Sequence, residues 1–137
     1  MPGYSGTPLF KKLGIKSGTR ILTIGAPSEY AKLITGRPKD SEIVSARART
    51  ADLAHIFTHK RSQLAQKLPV LKDRIAPDGM IWVSWPKKSS GVPTDITEDV
   101  VREVAFPLDL VDIKVCAVTE IWSGLKLVIR KEARARR

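Results

Sequence analysis

The sequence predicts an α/β fold of three layers, built on a mostly parallel sheet of about five to six strands that ends in an antiparallel hairpin. Two observations predict it. Short apolar, β-branched runs alternate along the chain with segments of helical spacing. The C-terminal stretch "LVDIKVCAVTEIWSGLKLVIRK" instead alternates at period two, residue by residue. Strands separated by helices pair in parallel, and two strands joined by a short connection pair antiparallel.

Taken in order, the opening "MPGYSGTPLFKKLGIKSGTR" holds several Gly and Pro residues and reads as an arm over residues 1–19. Within it "TPLFKKLG" has the marks of a short helix. Thr7 is the cap, Pro8 stands at the first helical position and Gly14 follows the end. The domain proper is expected over 20–131, with a basic tail at 132–137. "RILTIGAP" is the first strand, stopped by Gly25 and Pro27. "SEYAKLIT" is a helix, with Ser28 as cap and Gly36 as stop. "SEIVSA" is a weaker strand, and "LAHIFTH" is the third apolar run. Leu64, Leu68, Leu71 and Ile75 then recur at four, three and four residues and form one helical face. Pro69 falls inside that pattern and predicts a kink or a break. "APDG" is a turn, and "GMIWVSW" is the fourth strand, ended by Pro86. Thr94 or Asp95 caps the helix "ITEDVVREVAF", which Pro107 closes. The closing alternation predicts two strands joined through "IWSG".

The chain has 137 residues, the size of one domain, and 42% of them are hydrophobic, as in folded soluble proteins. No apolar run approaches the length of a membrane span, and the N-terminus has no basic start with an apolar segment behind it. One cysteine, Cys116, allows no internal disulfide, which fits a reducing cytoplasm. One Cys and two His are too few for the usual zinc clusters. The net charge of +10 attracts polyanions without naming one.

Ligands in open α/β sheets bind beyond the carboxyl ends of the strands. "WPKKSSG", "GAPSEY" and "THKRS" are expected there. In "WPKKSSG", Lys87, Lys88, Ser89 and Ser90 precede a helix start, an arrangement suited to an anion. A polar loop behind a packed Trp82 explains the same residues. Trp122 in "EIWSGLK" either covers the sheet edge or forms an aromatic wall beside that loop, with Ser123 and Gly124 making the turn. His59 in "THKRS" can act as acid or base. His55 and Cys116 lie within strands and read as structural. Asp95, Glu98 and Asp99 cluster at a helix start, where they favour its dipole. No Walker A loop is present.

The order of segments resembles a class I methyltransferase-like Rossmann fold. "RILTIGAP" stands where that family has its first strand and glycine-rich turn; "RIAPDGMIWVSW", "REVAFPLDLVDIKV" and the final hairpin match its later part. "YSGTPLFKKLGIKSG", "WVSWPKK..GVPTDITEDVVREVA" and "DIKVCAV.EIWSGLKLVIR" together resemble a bacterial family defined only as a domain of unknown function, which implies no activity. The methyltransferase resemblance implies S-adenosylmethionine as cofactor, with Gly25, Ala26 and Ser28 beside it. Two departures weigh against that cofactor. The turn "GAPSEY" has a single glycine, and "SEIVSARART" offers Arg47 and Arg49 where the family holds the ribose with an acid.

The expectation from sequence is therefore a small cytoplasmic domain, leaning away from enzymes, that binds an anionic small molecule or an acidic partner. Lys87, Lys88, Ser89, Ser90, Trp122 and His59 are its candidate contacts. An S-adenosylmethionine-dependent methyltransferase-like enzyme and a nucleic-acid-binding protein are the alternatives. No membrane partner is expected, and self-association through "WVSW" stays open.

Overall fold

A computed structural model describes residues 6–134. The first residues of the arm (1–5) and the end of the basic tail (135–137) lie outside the described residues. The elements are α1 (Leu9–Leu13), β1 (Arg20–Ile24), α2 (Tyr30–Leu33), β2 (Glu42–Ile43), β3 (Ala51–Phe57), α3 (Arg61–Arg74), β4 (Ile75–Pro86), α4 (Glu98–Ala105), β5 (Leu110–Ala117), β6 (Trp122–Ile129) and α5 (Lys131–Arg134).

Six strands form one sheet in the order β2-β1-β3-β4-β6-β5. The first four pair in parallel, and β6 runs antiparallel to both β4 and β5. This is the α/β fold with an antiparallel edge that the alternation of segments predicts. The central strands β3 and β4 are buried on both faces, which explains why their sequences are nearly continuous apolar runs.

Each face of the sheet carries its own core. Ile21, Leu53, Trp82, Leu13, Tyr30 and Val118 pack on the face that meets α1 and α2. Leu22, Ile56, Ile81, Val83, Trp85 and Leu127 pack on the other, against Leu64, Leu68 and Leu71 of α3 and Val101 and Ala105 of α4. The two tryptophans of "WVSW" are thus divided between the faces, as strand alternation dictates. The Trp82 indole N–H donates to the carbonyl of Leu13 at 2.9 Å, tying the end of α1 to the sheet.

Several local expectations are corrected. Helix α3 runs unbroken through Pro69, because Leu68 and Leu71 hold both sides of it on the sheet. "APDG" is an excursion inside β4: Ala51 pairs with Ile75 and Leu53 with Met80. Gly79 permits it, since a Cβ there would sit 2.9 Å from the Asp52 carbonyl oxygen. Pro8 takes the cap position of α1 rather than its first turn, and Glu29 rather than Ser28 precedes α2. The cap of α4 is Thr97, whose hydroxyl accepts from the Val100 amide at 3.2 Å. The final hairpin turns at residues 118–121 instead of through "IWSG", because Thr119 accepts the amides of Ile121 and Trp122 at 3.1 Å each. Trp122 and Gly124 consequently belong to β6. The helical turn Lys131–Arg134 runs from the last residue of the expected domain into the basic tail and buries Ala133 in the core. Among the described residues no helix is long and apolar enough to cross a membrane.

Candidate functional site

The strand order reverses between β1 and β3: the chain leaves β1 for β2 on one side and returns to pair β3 on the other. A crevice opens at such a point beyond the carboxyl ends of the strands. Here β1 is followed by Gly25, at φ +69. A Cβ on Gly25 would lie 2.5 Å from the Phe57 carbonyl oxygen, so only glycine lets the turn close against the end of β3. Beside this turn lies an open groove of about 460 Å³, lined by Thr23, Ile24, Gly25, Ala46, Gln66, Lys67, Val70 and Arg74. Lys67, Val70 and Arg74 recur at three and four residues along α3, next to the buried leucine stripe, so this wall was legible as a second face of the helix. Arg74 fixes the opposite wall by donating to the Ala46 carbonyl.

The loop after β4 forms a different groove. Lys88, Thr94, Ile96, Thr97 and Glu98 line about 340 Å³ beneath Trp85 and Pro86. The Lys87 amide donates to the Ile121 carbonyl at 2.7 Å, and Ser90 Oγ donates to the Lys87 carbonyl at 2.6 Å. Ser89 is exposed. His59 reaches this region through its backbone, where its carbonyl accepts from Thr94 Oγ1 at 2.8 Å. An anion gains little here. The first turn of α4 already holds Glu98 and Asp99, and Thr97 occupies the Val100 amide. Arg102 spans Glu98 at 2.7 Å, Asp99 at 3.0 Å and Asp112 at 3.0 Å, and these bonds raise its pKa further.

Trp122 stands apart from those lysines. It packs on the other face of the sheet, with its ring edge-on to Phe57 at 5.1 Å. It also lines a groove of about 240 Å³ with Pro27, Glu29, Leu33, Thr119, Glu120 and Ile121. Of the three cofactor positions, Gly25 lines the switch-point groove; Ala26 packs into the α1–α2 core, and Ser28 is exposed.

One polar cluster has no motif in the sequence. Tyr30 Oη and His55 Nδ1 are hydrogen-bonded at 2.9 Å, and His55 Nε2 and Ser84 Oγ at 2.7 Å. Phe57 stacks on the imidazole at 4.2 Å. His55 and Ser84 are fully buried. Burial pushes the His55 pKa down from 6.5 to about 3 and raises that of Tyr30, so both groups are neutral. Sealed from solvent, this row joins α2, β3 and β4. Cys116 is half-buried on β5, and burial raises its thiol pKa. Among the described residues no group of His, Cys, Asp and Glu is arranged to hold a metal.

No family model matches the chain, and no curated protein matches it. Solved structures do. A SAM dependent methyltransferase from Aquifex aeolicus superimposes with a TM-score of 0.63 at 13% identity, covering 88% of this chain and 88% of that one. Aeropyrum pernix fibrillarin, in complex with natively bound S-adenosyl-L-methionine, gives a TM-score of 0.60 at 14% identity over 92% of this chain and 70% of its own. The fold is that of the Rossmann-like methyltransferases. A B. subtilis M1A22 tRNA methyltransferase, TrmK, shares this methyltransferase-like fold at a TM-score of 0.58 and 14% identity, covering 94% of this chain and 68% of that one. These likenesses overturn the expectation of a stand-alone binding or interaction domain for an anionic ligand or partner. They favour the methyltransferase-like alternative. The local reason agrees with the correction, because acidic side chains and Thr97 already occupy the helix start beside Lys88.

Proposed function

We propose that the chain is a methyltransferase-like protein that binds S-adenosylmethionine in the groove beside Gly25. The observation that carries this reading is the groove's position. It opens where the strand order reverses, against the one turn that glycine draws onto β3. Its size of about 460 Å³ suits a nucleoside. Ile24, Ala46 and Val70 offer apolar walls for a base, and Thr23 and Gln66 offer hydrogen-bonding groups. Lys67 at the rim suits the carboxylate of the amino-acid end. No carboxylate lines the groove to take the ribose hydroxyls, so Thr23 and Gln66 are assigned that contact. When bound, S-adenosylmethionine supplies an electrophilic methyl group; the residues named here hold and orient it.

Calorimetry with S-adenosylmethionine and S-adenosylhomocysteine tests the reading. Binding is expected in the wild type. Val70→Arg fills the groove from an exposed position and is expected to weaken binding at least tenfold with an unchanged melting temperature. No heat at millimolar cofactor would overturn the proposal.

A further inference from the structure

Four lysines gather on the α1–α2 side of the sheet, toward the β5 edge and on the face opposite the α3 wall of the groove beside Gly25. Lys114 on β5 and Lys126 on β6 are direct cross-strand partners. Lys126 pairs on its other side with Trp82, so its side chain shares that residue's face. Lys114 Nζ lies 6.0 Å from the centre of the Trp82 ring. The pKa of Lys126 is lowered by burial and then by the charges of Lys114 and Lys16. Lys12 and Lys114 both act on the neighbouring Cys116. Lys126 therefore feels the charges of Lys114 and Lys16, and Lys12 lies near the same strand edge beside Cys116.

The Trp82 ring gives Lys114 a partner within the fold, but it does not account for a second lysine set directly opposite it. Like charges directly opposite each other on a sheet destabilise it. Elsewhere in the fold cations are paired: Arg61, Arg102 and Arg130 each hold a carboxylate at 2.7 Å. Among the described residues no ion pair engages Lys16, Lys114 or Lys126.

We infer that Lys16, Lys114 and Lys126, with Lys12 beside them, form a docking surface for the phosphodiester backbone of a nucleic acid. Lysines are flexible point charges, suited to a run of single negative charges. Their row crosses from α1 over β6 to the sheet edge, so the ligand lies across the surface. The net charge of +10 adds long-range attraction. A second copy of the chain fits poorly. Register slips between Asp112 and Lys114, and that bulge and the lysine blunt β5 as an edge for pairing. A membrane surface also fits less well. The exposed Val115 is in register with Leu125 and faces the opposite side, so it cannot insert beside the lysines, and one exposed Ile113 at the bulge is small anchorage for a bilayer. The inference is independent of the cofactor reading, since it concerns other residues and is measured without cofactor.

Fluorescence anisotropy with a single-stranded RNA oligonucleotide of mixed sequence, over a salt series, tests it. The wild type is expected to bind at low salt. Lys114→Gln with Lys126→Gln is expected to weaken binding by about tenfold or more and to flatten the slope of log K against log salt by about 1.4. The melting temperature should hold or rise, because the opposed charges are gone. Lys16→Gln, outside the strands, is expected to act in the same direction and carries the test if the strand variant melts lower. Lys87→Gln with Lys88→Gln removes equal charge at another edge and is expected to change affinity by less than about twofold. Three outcomes would overturn the inference: no RNA complex at low salt, equal losses in the two double variants, or binding to phosphatidylserine vesicles but not to RNA.

Discussion

His55 is a titratable residue with no access to water, and that makes it a source of pH dependence. Tyr30 and Ser84 bond its two nitrogens, and its pKa falls to about 3 in the folded chain. Unfolded, it titrates at 6.5. Between those values the unfolded chain holds the extra proton, so stability falls as pH falls through the window. The limiting slope is about 1.4 kcal/mol per pH unit. Urea unfolding between pH 6.5 and 5, above most carboxylate titration, should show the midpoint falling steadily; a flat profile would contradict the buried row. The sequence placed His55 inside a strand and gave it a structural role, which the fold bears out. Its partners were not legible, because Tyr30 and Ser84 lie 25 and 29 residues away and meet it only through pairing of three segments.

At the scale of elements, period and composition identified the strands well, whereas ends and breaks depended on contacts the sequence does not display. The hairpin illustrates this. "WSG" has turn composition, yet Gly124 is required inside β6: a Cβ there would lie 3.2 Å from the Trp82 ring. Helix α3 illustrates the converse. Pro69 has no N–H to offer the Ala65 carbonyl, and packing of Leu68 and Leu71 carries the helix past it. Pro69→Ala should therefore stabilise the chain by about 1–3 kcal/mol in chemical denaturation. A neutral or destabilising result would mean that the proline is accommodated without cost.

For the whole molecule, the order of strands decides where chemistry can occur. Sequence reasoning looked to the carboxyl ends of the strands and placed Lys88 and Trp122 in one candidate set. The sheet puts them on opposite faces. The groove beside Gly25 is assembled from β1, the loop after β2 and α3, so no single stretch carries its signature. Of its walls, only Gly25 stood among the candidates, because glycine at a turn is visible in sequence and the approach of α3 is not.

The hydrogen bond from the Trp82 indole to the Leu13 carbonyl has a spectroscopic consequence. Trp82 is fully buried, and Leu13 is the last residue of α1. Deleting residues 1–14 would remove the acceptor and uncover the indole. The emission maximum should then move to longer wavelength, and acrylamide should quench a fluorophore that the intact chain shields. Unchanged emission would mean that the arm is not what covers it. The same tryptophan would thus serve as an optical gauge of whether the N-terminal segment is seated on the sheet.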